Sequence, residues 1–232
     1  MLRSIGASVK GPAHETAGQP NQDAVGLWGH KGGRIATVAD GLGSRPLSHI
    51  GSRTACQVAR QTLTSAKSLE DPKSLISGIY RAWLTAIPIR PAEASTTFLL
   101  AIAEADGSST LAQIGDGLLL YRANGKFGIL TEEREGFSNQ TNALGLSKAW
   151  ADWKSKQIKL EKPGDGIVLM TDGISDDLDW SELEGFFNKL FREFSRRGPM
   201  KSKNWIEAEL NNWPTPNHSD DKTIAMIWIG KK

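Results

Sequence analysis

The sequence lacks several features that mark particular classes of protein. It has one cysteine in 232 residues, so no disulfide can form within the chain. No stretch approaches the roughly 20 consecutive apolar residues that span a bilayer, and residues 1–6 contain no apolar run of signal-peptide length. From these absences we expect a cytoplasmic protein that does not interact with a membrane.

An excess of charge of one sign is also missing. The chain has 28 basic and 26 acidic residues, intermixed along its length, and a net charge of +2. A protein that binds nucleic acid usually has a basic patch or stripe, so we expect no nucleic-acid partner. Because no long linker or internal repeat divides the sequence, we expect a single domain over residues 1–232.

Short stretches rich in β-branched and aliphatic residues predict strands. Several are almost continuously apolar, which is typical of a sheet covered on both faces. The predicted strands cover residues 24–28, 35–39, 96–103, 110–114, 118–122, 157–160, 167–170 and 223–229.

Apolar residues spaced three and four apart predict helices between these strands. The helical stripes lie within residues 55–66, 75–87 and 183–194, with a shorter helix near 204–210 and a loop at 198–203. Cys56 falls on the first stripe, so we expect a buried, inert thiol. Successive strands and grouped helices predict an α+β fold, a four-layer αββα sandwich of two mostly antiparallel β-sheets flanked by helix pairs.

Five aspartates lie where the apolar stretches begin or end: Asp23, Asp40, Asp116, Asp172 and Asp220. Strand ends can gather in space, and carboxylates gathered in one small volume repel one another unless cations bind among them. The pattern therefore predicts a metalloprotein.

Two of these aspartates precede a glycine directly after a predicted strand, at Asp40-Gly41 and Asp172-Gly173. Either turn alone is compatible with an ordinary strand-to-helix connection. Glycine lets the chain turn sharply, so the Gly41 carbonyl could also reach a cation. The repetition favours a shared chemical role.

Taken together, the motifs resemble the metal-dependent serine/threonine protein phosphatases of the protein phosphatase 2C (PPM) type, and the stretch from Gly11 to Asp23 is similar to the compact bacterial branch. They occur in the family's order over about residues 6–229. The matching segments are Asn21–Ala24, Ala39–Gly43, Ser95–Thr97, Gly115–Gly117, Asn142–Gly145, Pro163–Asp165, Leu169–Gly173 and Asp220–Thr223.

The resemblance implies two Mn²⁺ or Mg²⁺ ions that activate a bridging water to attack a phosphoserine or phosphothreonine directly. Asp40 would bridge both ions and the Gly41 carbonyl would bind one. Asp116 would help with a third, weaker ion beside Asp172. Oxygen ligands favour Mg²⁺ or Mn²⁺ over Zn²⁺. The remaining ligands, direct or through water, would be Asp23, Asp172 and Asp220.

The sequence departs from the family pattern at three positions, Gln22, Gly18 and Leu42, where members often have glutamate, arginine and histidine respectively. Gln22 contributes no charge but could orient a metal-bound water. In the family the arginine binds phosphate, and here His14, Lys10 or Arg45 could take that role. His14 is the preferred candidate, because a loop histidine beside a metal site can donate a hydrogen bond to phosphate. Water or His218 could supply the proton to the leaving group.

Three functional hypotheses follow. The first is a phosphatase acting on a phosphorylated protein, such as a serine/threonine kinase or its target encoded nearby. The second is a pseudophosphatase that binds a partner without catalysis. The third is a hydrolase of small phosphoesters. The charged residues at 132–135 are interpreted as a solvated face.

Overall fold

The computed structural model describes residues 1–66, 68–69, 71–132, 142–147, 150–214 and 219–230. Its strands are β1 (Leu2–Val9), β2 (Asp23–His30), β3 (Gly33–Asp40), β4 (Phe98–Ala103), β5 (Ser108–Ile114), β6 (Leu118–Ala123), β7 (Lys126–Ile129), β8 (Lys154–Lys159), β9 (Gly166–Met170) and β10 (Lys222–Ile229). Its α-helices are α1 (Pro12–Thr16), α2 (Ser48–Ser65), α3 (Pro72–Ala86), α4 (Asp172–Ser175), α5 (Leu183–Arg196) and α6 (Pro199–Asn211). Short 3₁₀ helices occur at Pro91–Ala94, Trp150–Asp152 and Trp180–Glu182.

The strands form two five-stranded sheets, ordered β1-β10-β9-β6-β7 and β2-β3-β4-β5-β8. Every neighbouring pair within them is antiparallel. In the second sheet, β2 with β3 and β4 with β5 form hairpins. In the first sheet, β10 lies between β1 and β9, so it pairs with strands from distant parts of the chain.

Three apolar clusters hold the layers together. Trp83 and Phe98 belong to the cluster between the α2–α3 pair and the second sheet. Phe187 belongs to the cluster between the α5–α6 pair and the first sheet. Val38 and Leu169 meet in the third cluster, which lies between the two sheets. These layers confirm the predicted α+β sandwich of two antiparallel sheets flanked by helix pairs.

The sequence patterns missed strands β1 and β7 and the short helices α1 and α4, and they placed the start of α6 too late. Strand β1 is rich in small and polar residues and lies at the edge of its sheet, and β7 has only four residues. The predicted loop at 198–203 is wrong, because α6 begins at Pro199. Proline is well suited to the first helical position, where its missing N–H has no helical partner.

Cys56 is buried as predicted, with 8% of its surface exposed. Burial raises the pKa of its thiol to about 12, so the thiol is protonated at neutral pH and unreactive. Within the described ranges, none of the helices combines the length and apolar character needed to cross a bilayer.

Asp165 anchors the end of the sheets opposite to the five aspartates. Its carboxylate is buried and accepts hydrogen bonds from the backbone N–H groups of Asn124, Gly125, Glu161 and Lys162, at 2.8–3.0 Å. Burial opposes ionisation, but these four donors outweigh it and hold the pKa of Asp165 below its usual value.

We expect Asp165→Ala to lower the free energy of unfolding by about 2–4 kcal/mol, because it leaves buried N–H groups without a partner. The stability that Asp165 supplies should be present above the ordinary carboxyl pKa and lost as pH falls through its lower folded value. Urea unfolding at pH 7 measures the effect, with the exposed Asp106→Ala as control. Equal stability of the two variants would contradict this role.

Candidate metal centre

The five predicted aspartates lie at one end of the sandwich. Asp23 begins β2 and is paired in register with Asp40, the last residue of β3. Asp116 lies in the turn between β5 and β6, Asp172 begins α4 directly after β9, and Asp220 lies shortly before β10. Strands from both sheets therefore carry these residues to the same edge.

Three of the carboxylates meet closely. Oxygens of Asp40, Asp116 and Asp172 all lie within 4.8 Å of one another. Asp40 comes from one sheet and Asp172 from the other, and Asp116 comes from the turn that joins them. A cluster of oxygen donors at this spacing can hold a hard divalent cation.

Asp23 is held at the inner side of this cluster. It has 5% of its surface exposed, and its Oδ2 accepts a hydrogen bond of 2.8 Å from the Thr171 hydroxyl. The same hydroxyl accepts a hydrogen bond from the Thr223 backbone N–H at 3.0 Å. A chain of hydrogen bonds thus connects β2 with the ends of β9 and β10.

The backbone of Asp40 is fixed by two threonines. The Thr97 hydroxyl accepts a hydrogen bond from Asp40 N at 3.0 Å, and the Thr96 hydroxyl donates to Asp40 O at 2.8 Å. At Gly41 a Cβ would lie 2.8 Å from Ser48 and 2.9 Å from the Gln22 carbonyl oxygen. The turn therefore requires glycine for close approach of neighbouring chain segments.

Mutual repulsion at the cluster appears in the pKa values of its carboxyls. Burial raises the pKa of Asp40 well above its usual value, and the negative charges of Asp172, Asp23 and Asp220 raise it further. Burial likewise raises the pKa of Asp23, although hydrogen bonds from Thr223 and Thr171 oppose the shift. Ionised carboxylates here need a positive charge among them.

His14, the predicted phosphate contact, lies beside Asp220. Its Nδ1 is 3.6 Å from Asp220 Oδ1 and 2.9 Å from Asp221 Oδ2. Of the two other candidates, Lys10 forms an ion pair of 2.9 Å with Glu15, and Arg45 lies on the loop between β3 and α2.

Gln22 takes part in the framework around the site. Its backbone N–H donates to Asp221 Oδ2 at 2.6 Å, its carbonyl accepts from Gly41 N at 3.1 Å, and its side-chain Oε1 accepts from the Ser48 hydroxyl at 3.1 Å. Orientation of a metal-bound water by its amide stays a prediction. His218 and the charged residues at 133–135 lie outside the described residues.

The sequence patterns missed two residues of this region, Asp221 and Lys222, each with 2% of its surface exposed. The Lys222 ammonium donates to the Asp220 carbonyl oxygen at 2.9 Å. Burial lowers its pKa, and nearby carboxylates, first Asp177 and then Asp220, oppose that shift. The signal in the sequence was two aspartates and a lysine, Asp220 to Lys222, at the start of a predicted strand. It was not recognised because charged residues are usually exposed.

The donor set fits hard divalent cations. The clustered side chains offer carboxylate oxygens, and Asp40, Asp116 and Asp172 need no histidine or cysteine to complete an oxygen-rich site. Mg²⁺ and Mn²⁺ prefer such ligands, whereas Zn²⁺ is more often held by nitrogen and sulfur. The raised pKa values of Asp23 and Asp40 point the same way, since bound cations would offset the repulsion.

Comparison with known proteins identifies the class of this protein. A sequence model described as Protein phosphatase 2C matches residues 10–213. The chain therefore belongs to the protein phosphatase 2C family, whose members use divalent metals. It is a phosphoprotein phosphatase, a hydrolase whose substrates are phosphoproteins.

Solved structures share the fold at low sequence identity. The photosystem II phosphatase PBCP has a TM-score of 0.70 and 18% identity, with 99% of each chain covered. A bacterial serine phosphatase has a TM-score of 0.66 and 16% identity, with 100% of each chain covered. RsbX in complex with magnesium has a TM-score of 0.64 and 14% identity, covering 98% of this chain and 94% of that chain. The comparison with curated proteins finds no match.

Without metal, we expect the protein to lose stability as pH rises. Asp23 and Asp40 have folded pKa values above the ordinary 3.8. Between the unfolded and folded values the folded state binds more protons, so the free energy of unfolding falls with increasing pH and levels off above the folded values. Thermal unfolding in chelator from pH 5 to 8 measures this dependence.

Asp40→Asn should stabilise the metal-free protein at pH 7 by roughly 1–3 kcal/mol and flatten the pH dependence, because it removes one buried charge. Asp106→Asn, on the surface, is the matched control and should keep the slope. Stability that increases with pH in the metal-free wild type would overturn this interpretation.

Proposed function

We propose that this protein phosphatase is a metal-dependent serine/threonine phosphatase that hydrolyses phosphoserine and phosphothreonine in one direct step. The observation that carries the proposal is the meeting of Asp40, Asp116 and Asp172 within 4.8 Å, in a chain of the protein phosphatase 2C family. The similarity to a bacterial serine phosphatase fold supports it.

Mn²⁺ or Mg²⁺ would be held by the acidic edge of the two sheets, as two ions with a third, weaker one. Asp40, at the end of β3, would be a ligand of two ions, and Asp116 with Asp172 would hold the third. The Gly41 carbonyl is the backbone ligand in this proposal. The other ligands, direct or through water, would be Asp23, Asp172 and Asp220. The magnesium complex of RsbX supports a divalent cation in this fold.

When bound, such cations lower the pKa of a water so that it can attack phosphorus directly, and they neutralise the phosphoryl oxygens. The protein's own part is to hold the ligands in place before substrate arrives. Thr171 fixes Asp23, and Thr96 with Thr97 fixes Asp40. Such preorganisation avoids reorganising the ligands during the reaction.

We further propose that His14 contacts the phosphoryl group in place of the arginine that many family members carry. Its position beside Asp220 supports this role, and Lys10 is already paired with Glu15. Residues 1–232 would act as one cytoplasmic phosphatase domain in bacterial signalling. Its substrate would be a phosphorylated protein, such as a serine/threonine kinase or a target of that kinase encoded nearby.

Metal dependence and Asp172 together test this function. With Mn²⁺ or Mg²⁺ we expect hydrolysis of p-nitrophenyl phosphate and of a phosphothreonine peptide, and none in chelator. Asp172→Asn should lower kcat at least about 100-fold, because it removes a charged metal ligand. Asp106→Asn is the control for a surface carboxylate. A folded wild type that binds metal without turnover would indicate a binding module instead.

A second test concerns His14. His14→Ala should raise KM for the phosphopeptide about tenfold and change kcat less, because a lost hydrogen bond to a charged group costs about 1.5–3 kcal/mol of binding. Steady-state kinetics at saturating Mn²⁺ measure both constants. His30→Ala, at the opposite end of β2, is the control histidine. An unchanged KM would remove His14 from the phosphate site.

A further inference from the structure

Asp221 is a buried carboxylate directly behind the candidate metal centre. It has 2% of its surface exposed. Its Oδ1 accepts a hydrogen bond of 2.7 Å from Gly11 N, and its Oδ2 accepts from Gln22 N at 2.6 Å and lies 2.9 Å from His14 Nδ1. Three donors from separate segments therefore converge on this one side chain.

The two neighbouring aspartates have different surroundings. The Asp220 side chain is 37% exposed, whereas that of Asp221 is 1% exposed. Asp220 Oδ1 accepts a hydrogen bond from Asp221 N at 2.8 Å. Both oxygens of the Asp221 carboxylate accept from protein donors, so this side chain holds Gly11, Gln22 and His14 together.

The His14 ring contacts Asp221 from a short surface helix. It lies on α1, a helix of five residues that buries none of them. The backbone bond from Ala13 N to Ser219 O, at 3.1 Å, ties this helix to the loop that carries Asp220 and Asp221. The ring itself is held through Nδ1, which lies 2.9 Å from Asp221 Oδ2, so Nε2 is the ring nitrogen that does not face Asp221.

We infer that Asp221 is a positioning residue, which holds His14 so that Nε2 is the ring atom presented to a phosphoryl oxygen of the substrate. This inference rests on the proposed function. An ionised carboxylate only accepts, so Nδ1 donates to Asp221 Oδ2, and Nε2 is the ring nitrogen left to face the substrate. Carboxylates orient histidine ligands of metals in the same manner.

The test compares His14→Ala, Asp221→Asn and the double variant with the phosphothreonine peptide at saturating Mn²⁺. Asparagine keeps the shape, but whichever way its amide is turned it offers one acceptor oxygen to three donors and no negative charge, so its hold on Nδ1–H is weaker. Each single variant should raise KM about tenfold and change kcat by less than about threefold. The double variant should be no worse than His14→Ala, because residues that act through one another are not additive.

Asp165→Asn is the matched control. Asp165 is also a buried carboxylate that holds backbone N–H groups, but it lies at the opposite end of the sheets. Asp165→Asn should lower the melting temperature without changing KM. Mn²⁺ affinity, measured by calorimetry, should change by less than about threefold in Asp221→Asn, since Asp221 is not a ligand in this proposal.

An unchanged KM in folded Asp221→Asn, or fully additive effects in the double variant, would overturn the inference. The proposed function is tested separately. It requires Mn²⁺-dependent turnover by the wild type and the loss of that turnover in Asp172→Asn. A measurement on the wild type keeps the test decisive if Asp221→Asn does not fold. The measurement is NMR of protein with ¹⁵N-labelled histidine, in which the His14 signal is assigned as the one lost in His14→Ala. Nδ1 of His14 should carry a proton that exchanges slowly with water. An unprotonated Nδ1 would also overturn the inference.

Discussion

The repulsion among carboxylates at one end of the sandwich is the constraint on which the rest of this structure depends. Asp40 and Asp172 come from different sheets, yet their carboxylate oxygens lie within 4.8 Å of those of Asp116. Burial raises the pKa of Asp40 and of Asp23. The apolar packing between the sheets holds these charges together against their repulsion, and the same packing prepares a place for cations.

Much of the fold and of this cluster could be predicted because strand ends carry a strong local signal. Asp40-Gly41 and Asp172-Gly173 follow nearly continuous apolar stretches, and the structure places both turns at the same edge. Edge strand β1 escaped prediction since its small and polar residues lack an apolar pattern. The start of α6 was missed because the six residues at 198–203 contain little apolar periodicity.

The parts that local patterns could not predict are the contacts made across great sequence distance. Asp221 and Gly11 are 210 positions apart, and Thr171 and Asp23 are 148 apart. A charged residue beside a strand is usually predicted to be exposed, yet Asp221 and Lys222 are buried. Their environment is decided by which segments the topology brings beside them, and one sequence does not contain that information in any short window.

The place of β10 in its sheet has a consequence for the order in which the molecule is made. Strand β1 precedes the other strands of the described residues, but its neighbour in the sheet is β10. Ribosomal synthesis therefore leaves β1 without its partner until β10 emerges, and Asp220 and Asp221 arrive with it. Pairing of β1 with β10 also brings Asp221 to Gly11, 210 positions earlier in the chain, so the closing of this edge of the sheet and the assembly of its acidic end are one event in folding.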